Sequence, residues 1–284
     1  MKYKQLNIFG NEGRKSRLGK TDIEYKSAGS ILTVASGFMA DYDYTLNPYS
    51  GCSFGCTYCY AAFFSRNKEK MDTWGEWLTV KENALSLLQK KRRKPLINKT
   101  IYLSSVTDPY QPIEKELELT RSILKELLEF HKVRLVIQTR SALITRDIDL
   151  LKEFDVIQVN MTITTDSERI RKVFEPLCTG NKQRINAIKE IHASGIQCCI
   201  TMTPLLPIEN PEKFADELLS TGITRYIIQP FHKDKGKFVR GTRDEALKIL
   251  DEFNWGDEEY QRVLSIMRKK IPNLGIGKTG FAPI

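Results

Sequence analysis

Histidine is scarce in this chain: His131, His192 and His232 are the three present among 284 residues. A metal site that needs histidine can draw on these three alone. Long apolar runs are lacking too. No stretch approaches the roughly 18 consecutive apolar residues of a membrane span, and residues 1–10 hold no apolar run long enough for a signal peptide. A cytosolic, non-membrane protein is the expectation. Solenoid-length repeats, low-complexity tracts and a second domain are likewise missing from the pattern. Composition argues against global disorder, because 41% of residues are hydrophobic and 28% charged, the ordinary balance of a globular protein. One α/β barrel-type domain suits this length, and it can bury most of its apolar surface without disulfides.

Six cysteines are present, and disulfides are not expected of them, since the cytosol keeps thiols reduced. Cys52, Cys56 and Cys59 crowd together, and crowded intracellular thiols tend to bind metal or do redox chemistry. Cys178 stands apart, and Cys198 and Cys199 are neighbours. The formal net charge of +9 favours a polyanionic or phosphate-bearing partner only weakly, since solubility alone would explain it.

Residues 1–40 are rich in Lys, Gly and Ser with little periodicity, and read as an N-terminal extension. Beyond them strands are expected at 42–46, 100–106, 133–139, 156–164, 196–202 and 225–230. Helical patterns cover 76–92, 116–130, 146–154, 182–194 and 211–220. Gly195 and Gly222 stop two of these helices, and Asn210-Pro211 starts another. Strands alternating with helices predict an α/β fold with a parallel sheet, its strands apolar on both faces as a helix-covered sheet requires. Six units fall short of the eight of a closed barrel, so residues 41–232 should form a partial barrel with a lateral gap. Residues 233–284 read as a basic loop and a C-terminal helical extension, with a helix at 257–270.

The string Asn47-Pro48-Tyr49-Ser50-Gly51-Cys52-Ser53-Phe54-Gly55-Cys56-Thr57-Tyr58-Cys59-Tyr60 follows the first strand directly. That is a strand's C-terminal end, where α/β folds place their chemistry. Gly51 and Gly55 let a short backbone curl around an object. Three thiolates at this spacing can each ligate one iron of a cubane, leaving the fourth iron for a substrate or cofactor. A zinc site is the alternative and needs a fourth ligand. His131 at a helix end and His192 inside a helix suit structural roles better. A non-catalytic metal-binding module stays open on these residues alone.

The Cys-x3-Cys-x-aromatic-Cys spacing after a first strand resembles the signature of the radical S-adenosylmethionine (radical SAM) superfamily. With Asn47-Pro48-Tyr49 before it and Tyr60-Ala61 after it, the string is similar to the spore photoproduct lyase-like branch. Thr107-Asp108-Pro109-Tyr110-Gln111-Pro112, Arg146-Asp147-Ile148-Asp149-Leu150-Leu151, and Glu175-Pro176 with Arg184 extend the resemblance from about Lys26 to His232. It implies a partial (β/α)6 barrel, a 4Fe-4S cluster on Cys52, Cys56 and Cys59, and S-adenosylmethionine on the open iron. An electron from the cluster would release methionine and a 5′-deoxyadenosyl radical that takes hydrogen from a substrate. A reducing partner of flavodoxin or ferredoxin type is implied with it.

By the same resemblance Tyr58 would contact the adenine edge, while Ser104, Ser105 and Thr107 would hold the methionyl end. Arg140, where relatives commonly show Lys, would pair bidentately with the methionyl carboxylate. Thr162 and Thr164 are candidates for the ribose, and Glu175 would pair with Arg184 to shape the next loop. Ordinary readings stand beside these: loop packing for Tyr58, strand-end capping for Ser104, Ser105 and Thr107, strand preference for the other threonines, a surface ion pair for Glu175. Spore photoproduct lyase is expected to return a hydrogen atom from a cysteine near the end of its second strand. Leu103-Ser104-Ser105-Val106 has none, so this chain is not expected to be that lyase. Cys178, after the fourth strand, is the candidate hydrogen donor, although free cysteines more often simply pack. Cys198 and Cys199 alternate across a strand, so at most one faces the interior.

Lys90-Lys91-Arg92-Arg93-Lys94 falls at the far end of the barrel, where it complements a helix C-terminus. Lys233, Lys235, Lys237, Arg240 and Arg243 follow the sixth strand, where they could grip phosphates. A nucleic acid or nucleotide substrate is one expectation. A peptide or small metabolite is the other, for which the charge is incidental.

Overall fold

The computed structural model describes residues 14–65, 67–231 and 244–284. His232 and the basic segment 233–243 lie outside the described residues. The strands, in chain order, are β1 (Arg17–Leu18), β2 (Thr21–Lys26), β3 (Leu32–Val34), β4 (Tyr44–Leu46), β5 (Tyr49–Gly51) and β6 (Trp77–Lys81). Then come β7 (Ile97–Leu103), β8 (Lys132–Thr139), β9 (Val156–Thr162), β10 (Gln197–Met202), β11 (Arg225–Ile228) and β12 (Leu274–Ile276). β4 and β7 to β11 lie side by side and parallel, in chain order. They are the six strands predicted from the sequence. β12 extends this sheet parallel to β11, and β3 flanks it antiparallel to β4.

Helices return the chain between strands and cover the outer face. Leu119–Phe130 links β7 to β8, Asn181–Ala193 precedes β10, and Pro211–Leu219 precedes β11. The Asn210 side chain accepts from Lys213 N–H at 2.9 Å, capping the last of these with Pro211 in its first turn. Gly195 and Gly222 follow two helices with φ of 83° and 78°. No helix among the described residues is long and apolar enough to cross a membrane.

Three expectations need correction. Residues 76–92 are not one helix: β6 occupies Trp77–Lys81, and the helix is confined to Ala84–Gln89. Leu78 and Val80 are buried while Trp77, Thr79 and Lys81 are only partly so, a period of two that pairs with strands rather than coils into a helix. Residues 17–34 are not an irregular extension either. β1 and β2 join β6 and β5 in a separate four-stranded sheet, and β2 alternates buried Thr21 and Ile23 with exposed Asp22 and Glu24. Finally, the barrel strands are not apolar on both faces. Leu135, Ile137, Val159 and Ile200 point into the core under the helices, but the inner face carries a polar layer. The Gln138 amide donates to Thr162 and Thr201 at 2.5 and 2.9 Å and accepts from Tyr102 at 2.8 Å, while Arg225 donates to Gln158 at 2.8 Å.

Below that layer, at the N-terminal end of the strands, the two edges of the sheet are bridged. Phe281 packs with Tyr42, Tyr102, Val136, Cys199 and Ile227 and edge-on to Phe38 at 5.4 Å. Lys278 pairs with Asp41 at 3.2 Å. Cys199 thus faces the interior, while Cys198 sits in the outer core, as alternation required.

Candidate active site

The cysteine loop leaves β4 at the C-terminal end of the sheet and is gripped on several sides. Asn47 accepts from Val106 N–H at 3.2 Å and donates to Ser105 Oγ at 3.3 Å. Thr107 Oγ1 donates to the Gly51 carbonyl at 2.6 Å. The Tyr49 hydroxyl donates to Glu114, whose other oxygen accepts from Thr120 N–H at 2.9 Å and Arg146 at 3.1 Å. Behind the loop, Trp77 presses so closely that a Cβ at Gly51, where φ is 78°, would fall 2.6 Å from its ring. Only glycine is accommodated there.

Cys52 and Cys56 are buried and Cys59 is half-buried. Their side chains do not form a ready-made metal site: among the described residues, no three His, Cys, Asp or Glu groups are arranged to hold an ion. Cys56 Sγ lies 3.6 Å from Cys178 Sγ instead. The donor set itself suits a soft, thiolate-bound iron centre. His131 is committed elsewhere, its Nδ1 accepting from Leu96 N–H at 3.2 Å.

Next to this loop stands a buried charge cluster. Glu175 and Arg184 pair at 2.5 Å, both side chains fully buried, so this is no surface ion pair. Glu175 Oε1 accepts from Tyr58 Oη at 2.5 Å, Thr164 Oγ1 at 3.0 Å and Arg140 Nε at 3.4 Å. Burial alone would raise its carboxyl, but Arg184 and Arg140 prevail and hold it down at about 2. Arg184 also donates to the Thr162 and Thr179 carbonyls, and Arg171 donates to those of Glu175 and Cys178. The Arg140 guanidinium sits 5.8 Å from the Tyr58 ring centroid and retains some exposure.

The predicted site residues therefore separate into groups. Tyr58, Arg140, Thr164, Glu175 and Cys178 are brought together with the cysteine loop. Thr162 is turned into the barrel, hydrogen-bonded to Gln138 and 2.9 Å from Thr201. Ser105 and Thr107 grip the loop, the Ser105 carbonyl accepting from Tyr60. Ser104 ends β7 with φ of 76°, and its buried Oγ has no hydrogen-bond partner among the described residues. Sequence reasoning did not single out Asp108, which accepts from Thr139 Oγ1, Tyr110 N–H and Arg140 N–H at 2.8, 2.9 and 2.8 Å. Nor did it single out Gln111, although both lie in a motif it quoted. Gln138 and Thr201 carried no motif at all.

A partial parallel barrel with a thiol loop and a partly exposed guanidinium at the C-terminal ends of its strands has the layout in which α/β enzymes place their active sites. Residues 46–219 match the radical SAM superfamily, and the chain belongs to that family. An uncharacterized protein of Methanocaldococcus jannaschii is 40% identical over 166 residues, which cover 58% of this chain and 61% of that relative. An uncharacterized protein of Acidianus two-tailed virus is 26% identical over 246 residues, 80% of this chain and 79% of the other. Among solved structures, a spore photoproduct lyase variant matches with a TM-score of 0.64 at 15% identity, covering 94% of this chain and 87% of that one. Spore photoproduct lyase complexed with a dinucleoside spore photoproduct matches with a TM-score of 0.62 at 15% identity, covering 90% and 82%. At that identity the likeness establishes a shared fold.

Proposed function

We propose that Cys52, Cys56 and Cys59 hold a 4Fe-4S cluster and that the barrel mouth binds S-adenosylmethionine, for action on a nucleic acid or nucleotide. When bound, that pair supplies reductive cleavage of the sulfur–C5′ bond and a 5′-deoxyadenosyl radical able to abstract hydrogen. The observation that carries the reading is Arg140, held beside the cysteine loop by Glu175 and the Thr203 carbonyl and 5.8 Å from the Tyr58 ring centroid. Ser104, with a buried Oγ lacking a partner among the described residues, follows β7 at the same end of the sheet. The guanidinium supplies a planar fork for a carboxylate, and a buried hydroxyl without a partner calls for one. Glu175, saturated by its own partners, orients Tyr58 and Arg140 rather than binding a cofactor itself. Cys178 remains the candidate hydrogen donor, as a thiol at the catalytic end outside the ligand set.

The nucleic-acid part rests on two supports. One spore photoproduct lyase variant of this fold carries AdoMet and a dinucleoside spore photoproduct, and the segment after β11 carries five cations, Lys233, Lys235, Lys237, Arg240 and Arg243. A peptide or small metabolite is the competing substrate class. A flavodoxin- or ferredoxin-type protein supplies the electron, and a cytosolic setting keeps the thiols reduced.

Anaerobic reconstitution tests the core of this. Iron and sulfide uptake, followed by 5′-deoxyadenosine on adding reductant and S-adenosylmethionine, is the expected result. A chain that takes up zinc and forms no 5′-deoxyadenosine would instead be a non-catalytic module. Oligonucleotide affinity should fall steeply with salt, and affinity indifferent to salt would point to the other substrate class. Loss of deuterium return to product in Cys178→Ala, with cleavage intact, is expected of a hydrogen donor.

A further inference from the structure

Gln111 is fully buried and touches the cysteine loop at one place. Its Oε1 accepts from both the backbone N–H and the hydroxyl of Ser53, at 3.0 and 3.2 Å. Its Nε2 points to Thr107 Oγ1 at 3.5 Å, and Thr107 in turn holds the Gly51 carbonyl. The two residues flanking Cys52 are thus clasped from one short loop, Gly51 through its carbonyl and Ser53 through its amide. The other two thiols are anchored differently: Thr57 N–H donates to the Phe174 carbonyl at 2.9 Å, and Cys59 N–H to Cys56 at 3.2 Å. Gln111 therefore acts on Cys52 alone.

We propose that Gln111 is a positioning residue for Cys52, setting where that thiolate stands and hence how firmly and with what electronic asymmetry a cluster is held. The proposal rests on the reading of Cys52, Cys56 and Cys59 as cluster ligands. A carboxamide fits the task for a physical reason. It accepts two hydrogens from Ser53 while staying neutral, so it adds no further negative charge beside the thiolates to that of Glu175 and Asp108. Groups behind a metal's ligands fix ligand orientation and tune the metal, and iron–sulfur potentials respond to nearby charge and hydrogen bonding.

The test uses full-length protein reconstituted anaerobically as wild type, Gln111→Met and Gln111→Glu. Gln111→Met keeps the volume and loses both acceptor bonds. It should release iron to a chelator roughly 10- to 100-fold faster than wild type, with an altered electron paramagnetic resonance spectrum of the reduced cluster. Gln111→Glu keeps the acceptor at Ser53. It should regain most of the wild-type retention while its midpoint potential falls, because a carboxylate now faces the cluster. A Gln111→Met protein with wild-type melting, retention and spectrum would overturn the proposal. If Gln111→Met fails to fold, Gln111→Glu decides, and an unchanged spectrum and potential there overturns it. Wild-type protein that takes up no iron would sink the ligand assignment itself, and the positioning role with it. The two failures are thereby told apart.

Discussion

Glu175 and Arg184 form an ion pair with no exposed atom on either side chain, and a pair in that setting is costly to break from one side only. Glu175→Gln leaves the Arg184 guanidinium buried without a counter-charge, a loss of about 3–5 kcal/mol. Urea unfolding should show it as a lower midpoint with an unchanged slope. A loss below about 1 kcal/mol would mean that water reaches the pair. Glu114 makes a second residue-scale prediction, this time in pH. Burial drives its carboxyl up to about 7, against the opposing hydrogen bonds from Tyr49, Thr120 and Arg146. A carboxyl raised above its ordinary value of 4.5 favours the folded state in its protonated form. Its contribution is full below about pH 4.5 and is lost as pH rises through about 7, on the order of 3 kcal/mol in total. Wild-type midpoints should therefore decline between about pH 5 and 8 relative to Glu114→Gln. Parallel pH profiles for the two proteins would contradict it.

At the scale of elements, the small sheet of β1, β2, β5 and β6 is the back wall of the cysteine loop. Gly75, at the turn before β6 with φ of 100°, comes so close that a Cβ there would lie 2.7 Å from Gly55 Cα. Gly75→Ala must shift backbone against backbone, so it should cost about 1–3 kcal/mol and displace the segment between Cys52 and Cys56. Reduced iron per chain, with barrel secondary structure retained by circular dichroism, is the expected reading; full iron loading would refute the wall's role. The sequence made the six barrel strands legible because each is a short apolar run set off by turn signals. It concealed this sheet because the period-two run at Trp77–Lys81 rests on Leu78 and Val80 alone, too short to separate from the helical pattern beginning at Ala84. The cysteine loop was legible from spacing alone. Its clasp by Thr107 and Gln111 was not, since those contacts join positions more than fifty residues apart and follow from the pairing of β4 with β7.

Across the whole molecule, chemistry and closure lie at opposite ends of the barrel. The C-terminal ends of the strands carry the thiols, Arg140 and Glu175, with the Gln138–Thr162–Thr201 layer below them as a polar floor. Further down, the segment around Phe281 joins the sheet's two edges, so the lateral gap expected from six units is bridged at that end. Nothing in the sequence pattern announces this, because the bridging partners, Phe38 and Tyr42 with Lys278 and Phe281, are separated by most of the chain. The bridge makes Phe281 a stability residue that is remote from the chemistry. Removing its ring opens a cavity among Tyr42, Tyr102, Val136, Cys199 and Ile227, so Phe281→Ala should cost about 3–5 kcal/mol. Tyr102 lines that cavity and donates to Gln138, which is tied in turn to Thr162 of β9 and Thr201 of β10, and this bonded layer should keep the strain from spreading to the cysteine loop. Iron retention and the spectrum of a reconstituted cluster should accordingly stay at wild-type values in folded Phe281→Ala, while its urea midpoint drops. A variant that lost iron in proportion to its lost stability would show that the barrel transmits distortion from end to end, and that the floor does not insulate the site.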